Sequence, residues 1–163
     1  MGHSQPGILK NSEMNAIRDL ASRAVNAVGI ENDPAHVEIM LTEFGPKMVE
    51  LGARMGDDCI TTHLVPLSMG IDMVGSTIKI ALGEEPDLNQ QFDKSFAIRY
   101  FNVPCGIITS IKGIEEARRI SGVREISFVK SVGDKIDEIG SSTDRLGFVI
   151  AQADTPRASD EDL

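Results

Sequence analysis

The residues with the most chemical potential in this sequence lie between His36 and Arg54, in HVEIMLTEFGPKMVELGAR. Two alternating runs flank a turn. Val37, Ile39 and Leu41 alternate with His36, Glu38 and Met40, and Val49, Leu51 and Ala53 alternate with Met48, Glu50, Gly52 and Arg54. A period of two sends one set into a core and the other to an open face, so the pattern predicts a β-hairpin. Its open face carries two carboxylates, an imidazole and a guanidinium. That mixture suits a cation or a charged ligand.

The register follows from the turn. A three-residue loop over Glu43, Phe44 and Gly45, with Gly45 left-handed, pairs Thr42 with Pro46 and sets Glu38 opposite Glu50. A two-residue Phe44-Gly45 loop would instead set Glu38 against Leu51 and mix a carboxylate with a core residue. Opposed side chains stand roughly 5 Å apart at Cβ, where like charges repel. A shared divalent cation relieves that repulsion, and an all-oxygen site selects magnesium over zinc. The plainer alternative is a solvated strand face with ordinary charges, and the hairpin alone leaves both readings open. Arg54 stands about 13 Å beyond Glu50 on a straight strand, too far for a direct bond. It could reach a phosphate or carboxylate held beyond the cation, or form a salt bridge at the rim. Gly52 leaves room for a ligand to approach the backbone, or marks a bulge. His36 shares the face of Glu38 and suits a hydrogen-bonding role, with ligation as the alternative.

The elements that must hold this face can be read on either side of it. An amphipathic helix is predicted over 12–29, capped by Ser12 and ended by Gly29. Its apolar stripe is Met14, Ile17, Leu20, Ala21, Ala24, Val25 and Val28. After the polar loop Met55-Gly56-Asp57-Asp58 come two short helices, roughly 59–68 and 71–82, with Asp72 as a cap between them. Gly56-Asp57-Asp58 either caps the first of these or presents backbone N–H groups to an anion. His63 reads as a helix residue with a satisfied ring. A linker over 84–95 separates this part from a β-patterned one. The latter has strands at 96–102, 106–111, 123–130 and 146–151 and a short helix at 113–120. Residues 1–11 read as disordered or as a remnant of cloning, and the acidic 158–163 as a solvated tail.

Composition narrows the function class. The chain has 163 residues, 41% of them hydrophobic, and a formal net charge of −9. That charge argues against nucleic-acid binding, and the absence of Trp argues against a base-stacking surface. No apolar run is long enough for a transmembrane span, and no signal-peptide pattern opens the chain. Cys59 and Cys105 lack metal-site spacing and fit a reduced, cytoplasmic setting. Nucleotide-binding loops, nucleophile elbows and HExxH or CxxC motifs are missing.

The stretch AHVEIMLTEFGPKMVELGARMGDDCI resembles the metal-binding core of the ATP-grasp superfamily. There, a strand glutamate is followed a dozen residues later by an E-x-N-x-R strand. Met55-Gly56-Asp57-Asp58 is similar to the family's R-x-G-G-D turn, and Ser68-Met69-Gly70-Ile71-Asp72 to its S-x-G-x-D helix start. The resemblance implies that Glu38 and Glu50 hold magnesium bridging ATP phosphates, and that Arg54 contacts the transferring phosphate or an acyl phosphate. Gly52 departs from the pattern, because the family's asparagine there is a third ligand. A small residue at that position, and the pattern of 96–157, point to the branch that resembles L-amino-acid ligases and related carboxylate–amine ligases.

The fold implied is α+β. The C-terminal part of an ATP-grasp catalytic lobe, an antiparallel sheet with helices over 12–83, is followed by a small β-rich module over 96–157. The reaction implied for the intact enzyme is ATP-dependent ligation of a carboxylate to an amine, or to a thiol. The relevant alternatives are a non-catalytic assembly module, or a fragment of a carbamoyl-phosphate-synthase-, biotin-carboxylase- or phosphoribosylglycinamide-synthetase-like enzyme. Family members have nucleotide-clamping lobes ahead of this region. The chain alone is therefore expected to be inactive, to hold little or no ATP, and to pair with the missing lobes or with copies of itself.

Overall fold

A computed structural model describes residues 2–153. The acidic tail expected over 158–163, and residues 154–157 of the module, lie outside the described residues. Residues Ile8–Gln91 form one compact unit, and the described residues before and after it form a second.

The first unit begins with α1 (Asn11–Ala27). Its cap is Lys10 and not Ser12: the Lys10 N–H donates to Glu13 Oε2 at 2.8 Å, so the cap lies two residues earlier than the Ser12 signal implied. Gly29, at φ +73°, closes the helix by donating to the Asn26 carbonyl. The apolar stripe is only half-buried, and Val28, at its end, is exposed. This helix packs on an antiparallel hairpin, β2 (His36–Thr42) and β3 (Gly45–Gly52), which forms a two-stranded sheet of its own. A π-helical turn at Ile60–Leu64 then runs into α2 (Val65–Met69), which Gly70 ends at φ +76°. Next comes α3 (Met73–Ala81), capped by Asp72, whose Oδ1 accepts from Gly75 N–H at 2.8 Å. The two predicted helices are therefore present, and the first opens as a π-turn. The N–H groups of His63 and Leu64 both reach the Cys59 carbonyl, each at 3.0 Å. Asp58 and Cys59 precede it at φ 51° and 63°, left-handed values that non-glycine residues rarely hold. The residue at the N-cap of this turn is Cys59, whose side chain makes no capping bond.

The second unit is built on a four-stranded antiparallel sheet in the order β1-β4-β8-β6, from β1 (Gly2–Gln5), β4 (Ser95–Tyr100), β6 (Val123–Phe128) and β8 (Gly147–Ala153). A two-stranded ribbon, β5 (Gly106–Ile107) with β7 (Lys135–Ile136), and a short α4 (Ile114–Arg118) complete it. The disorder expected over 1–11 does not hold for Gly2–Gln5: Gly2 pairs with Arg99 and Gln5 with Phe96, so these four residues are an edge strand of this sheet. Its sequence hides this because Gly2-His3-Ser4-Gln5 has no apolar alternation, and an edge strand held by backbone bonds needs none.

The cores of the two units differ. Phe96, Ala97, Ile98, Ile136, Leu146, Ile150 and Ala151 are buried in the second. In the first, only Leu64 and Ile71 are buried hydrophobics, while Met40, Leu41, Phe44, Met48 and Val49 on the hairpin are exposed. Among the described residues no single helix is long and apolar enough to cross a membrane.

Candidate functional site

Glu38 lies directly opposite Glu50 in the hairpin, the pairing expected from sequence, but the route to it differs. Thr42 pairs with Gly45 and not with Pro46, so the loop is the two residues Glu43 and Phe44. Gly45 takes φ +92°, and the Thr42 hydroxyl donates to its carbonyl at 2.8 Å. This tighter loop would shift the register by one residue. A bulge restores it, because Ile39 pairs with Met48 while Glu38 pairs with Glu50, leaving Val49 without a partner. Val49 is correspondingly exposed, against its expected place in the core. Lys47 pairs with Met40 and is exposed.

Each carboxylate has a neighbouring nitrogen partner. His36 Nε2 stands 3.3 Å from Glu38 Oε1, and Arg54 Nη2 donates to Glu50 Oε1 at 3.0 Å. The Glu38 and Glu50 side chains are 49% and 55% exposed, and that of His36 only 16%. The Arg54–Glu50 bond overturns the expectation that a straight strand keeps these residues apart. β3 ends at Gly52 and the chain bends at Ala53-Arg54, so the guanidinium folds back. Gly52 makes room for it: a Cβ there would stand 3.3 Å from Arg54 Cγ and 3.4 Å from Nε. Arg54 Nη1 also donates to the Met55 carbonyl at 3.0 Å. Gly56 has a comparable role toward His36. A Cβ there would lie 3.0 Å from His36 Nδ1 and 3.3 Å from the hydroxyl of buried Thr61. The loop after the hairpin thus closes over the imidazole and fixes it toward Glu38. His63 Nδ1 stands 2.8 Å from the Thr62 hydroxyl.

These residues test the fit of a magnesium–nucleotide pair. Among the described residues there is no cluster of three or more His, Cys, Asp or Glu side chains placed to hold a metal. Two opposed, half-exposed carboxylates remain. That donor set suits magnesium, which keeps several waters and takes one or two carboxylates plus phosphate oxygens. It does not suit zinc or an all-protein calcium cage. Arg54 lies beside Glu50 in the same group.

The second unit holds two further clefts that residue spacing does not announce. One, of about 620 Å³, is lined mainly by apolar residues of the 101–112 segment with Phe128 and Leu146. The other, of about 380 Å³, lies where Tyr100, Asn102, Ser141 and Arg145 converge. Both draw on segments separated in the chain, so neither leaves a local motif.

Residues 99–162 match the family model described as L-amino acid ligase C-terminal domain 2. The chain is 28% identical over 130 residues to an L-arginine-specific L-amino acid ligase of Bacillus subtilis, covering 78% of this chain and 31% of that protein. It is 28% identical over 156 residues to an uncharacterized protein of Sinorhizobium fredii, covering 95% of this chain and 32% of that one. Among solved structures, L-amino acid ligase from Bacillus licheniformis superposes with a TM-score of 0.85 at 24% identity, over 98% of this chain and 40% of that one. Phosphoribosylglycinamide synthetase from Anaerococcus prevotii gives 0.79 at 22%, over 98% and 42%. The chain spans about a third of the length of the curated relatives it matches.

Proposed function

We propose, from the premise that this chain resembles the C-terminal portion of ATP-grasp ligases in the L-amino acid ligase branch, that it supplies half of the site of an ATP-dependent carboxylate–amine ligase. The observation that carries this reading is the Glu38–Glu50 pair with Arg54 at the same end of the hairpin. In the intact enzyme Glu38 and Glu50 would hold magnesium, which supplies charge neutralisation for ATP phosphates. His36 orients the Glu38 carboxylate. Arg54 exchanges Glu50 for a phosphoryl oxygen and stabilises the negative charge that develops as phosphate passes to a substrate carboxylate. The acceptor amine and the rest of the nucleotide site belong to lobes beyond this segment. The setting is cytoplasmic.

A calorimetric titration of the chain with magnesium and ATP tests this. Weak, magnesium-dependent binding that disappears in Glu50→Gln supports the half-site. Equal heats in wild type and Glu50→Gln would refute it. The isolated chain is expected to show no carboxylate-dependent ATP turnover, and detectable turnover would overturn that part of the reading.

One observation favours a second, compatible role in assembly. Met40, Leu41, Met48 and Val49 are exposed, and Phe44 at the turn is 81% exposed, on a sheet of only two strands. Unpaired edges and an open apolar face call for a partner, either the remaining lobes or another copy. Sedimentation velocity should give a dimer or larger species for the chain alone, and a strictly monomeric boundary contradicts the copy-to-copy arm.

A further inference from the structure

We infer that the larger cleft of the second unit is a binding site for a small aliphatic monocarboxylate. The cleft is formed before any ligand arrives. Its lining residues all fall between Phe101 and Leu146, within one unit. Phe101 and Phe128 stack with ring centroids 5.0 Å apart and planes 17° from parallel. Ile136 and Leu146, only 4% and 8% exposed, close its inner side. Backbone bonds pin one wall. Ile108 N–H donates to the Asp134 carbonyl at 3.0 Å, and Gly133 N–H to the Ile108 carbonyl at 2.8 Å, which extends the β5–β7 ribbon. The volume of about 620 Å³ lies in the range of small-molecule sites. The rim is unfinished: Val103 and Ile107 line the cleft yet are 37% and 68% exposed. An apolar body seated there takes their surface out of water.

Charge decides the class of ligand. Lys112 is the one charged side chain on this lining. It is exposed, and it makes no hydrogen bond or ion pair with another described residue. Three carboxylates of the neighbouring segments are taken. Glu115 accepts from Arg118 at 2.7 Å, Asp137 from Lys135 at 2.6 Å, and Asp134 from the Ser131 N–H at 2.7 Å. One unengaged ammonium matches one negative charge, and a dianion fits less well in a chain of net charge −9. Thr109 and Ser110, just before Lys112, add neutral donors to the same lining. Val103, Ile107, Ile108 and Ile111 make the wall aliphatic, so the body of the ligand is aliphatic too. The hairpin reading plays no part in this, because no hairpin residue lines the cleft.

The test is an NMR titration of the ¹⁵N-labelled chain with sodium octanoate at constant ionic strength. Sodium acetate supplies the charge without the body, and 1-octanol the body without the charge. The expected result is a saturable octanoate shift of the Ile107, Ile108, Thr109 and Lys112 amides with a Kd on the order of 1 mM. Acetate should give no saturable shift, and 1-octanol a weaker one. Lys112→Gln removes an exposed side chain without partners, so the fold is kept. It should weaken octanoate binding by roughly threefold to fivefold and leave 1-octanol binding unchanged, a split that a merely structural role would not produce. Octanoate should also slow alkylation of Cys105, an exposed thiol on the lining, by iodoacetamide. No saturable shift at these amides, or equal octanoate affinity in Lys112→Gln, would overturn the proposal. So would shifts of the same amides on dilution of the ligand-free chain, which would assign the cleft to a second copy.

Discussion

Gly52 stands where the related motif has an asparagine, and two physical consequences follow. The site loses a side-chain oxygen, and Arg54 gains the space to fold back onto Glu50. Gly52→Asn should reverse both, tightening magnesium binding in calorimetry while breaking the Arg54–Glu50 bond. The stability cost should be small. The atoms a Cβ would press belong to a flexible side chain, and an exposed ion pair of this kind is worth about 0.5 kcal/mol or less. Asp144 offers a pH-dependent check. Hydrogen bonds from the Ser141 N–H and hydroxyl and from the Gly140 N–H hold its carboxyl below the usual aspartate value. Because the folded pKa is lowered, the stability this group lends its loop is present above the ordinary aspartate range, near about 3.9. It is lost as pH falls through the lowered value. The Gly140 and Ser141 amide shifts should therefore titrate with a midpoint below that of a free aspartate, and a midpoint at or above it would contradict the geometry.

At the scale of elements, the hairpin shows how a correct face can arise from an unexpected backbone. The carboxylates were placed opposite each other by alternation and by the need to keep a charge off the core side. The backbone reaches that pairing through a shorter loop and a bulge at Val49. Alternation reports which side chains belong together; it is silent on where an extra residue is absorbed. The strand end at Gly52 is equally hidden, since a bend needs no special residue when a glycine already permits close approach. In the second unit the tolerance is much smaller. A Cβ on Gly147 would come within 2.1 Å of the Ser127 carbonyl, a backbone atom of the neighbouring strand. Gly147→Ala is expected to cost about 2–4 kcal/mol, measurable as a fall in the denaturant midpoint. Asp72→Ala should cost about 1 kcal/mol through loss of the α3 cap.

For the whole molecule, the contrast between the two units is a contrast in cores. The second unit encloses Phe96, Ile98, Leu146 and Ile150 within its own sheet. The first leaves much of its apolar surface on the hairpin, and stability follows buried apolar area. Hydrogen exchange should accordingly be slowest in β4 and β8 and fastest in β2 and β3. Uniform protection across both units would show that the hairpin has found a partner already. The sequence by itself determined the open face of the hairpin, the helix before it, the α+β class and the resemblance to ATP-grasp ligases, because each is written in local periodicity or short motifs. Only the tertiary structure decided the bulged register, the fold-back of Arg54, the edge strand at Gly2–Gln5 and the Tyr100–Arg145 cleft. These depend on contacts between residues brought together by the backbone path, which no local pattern encodes.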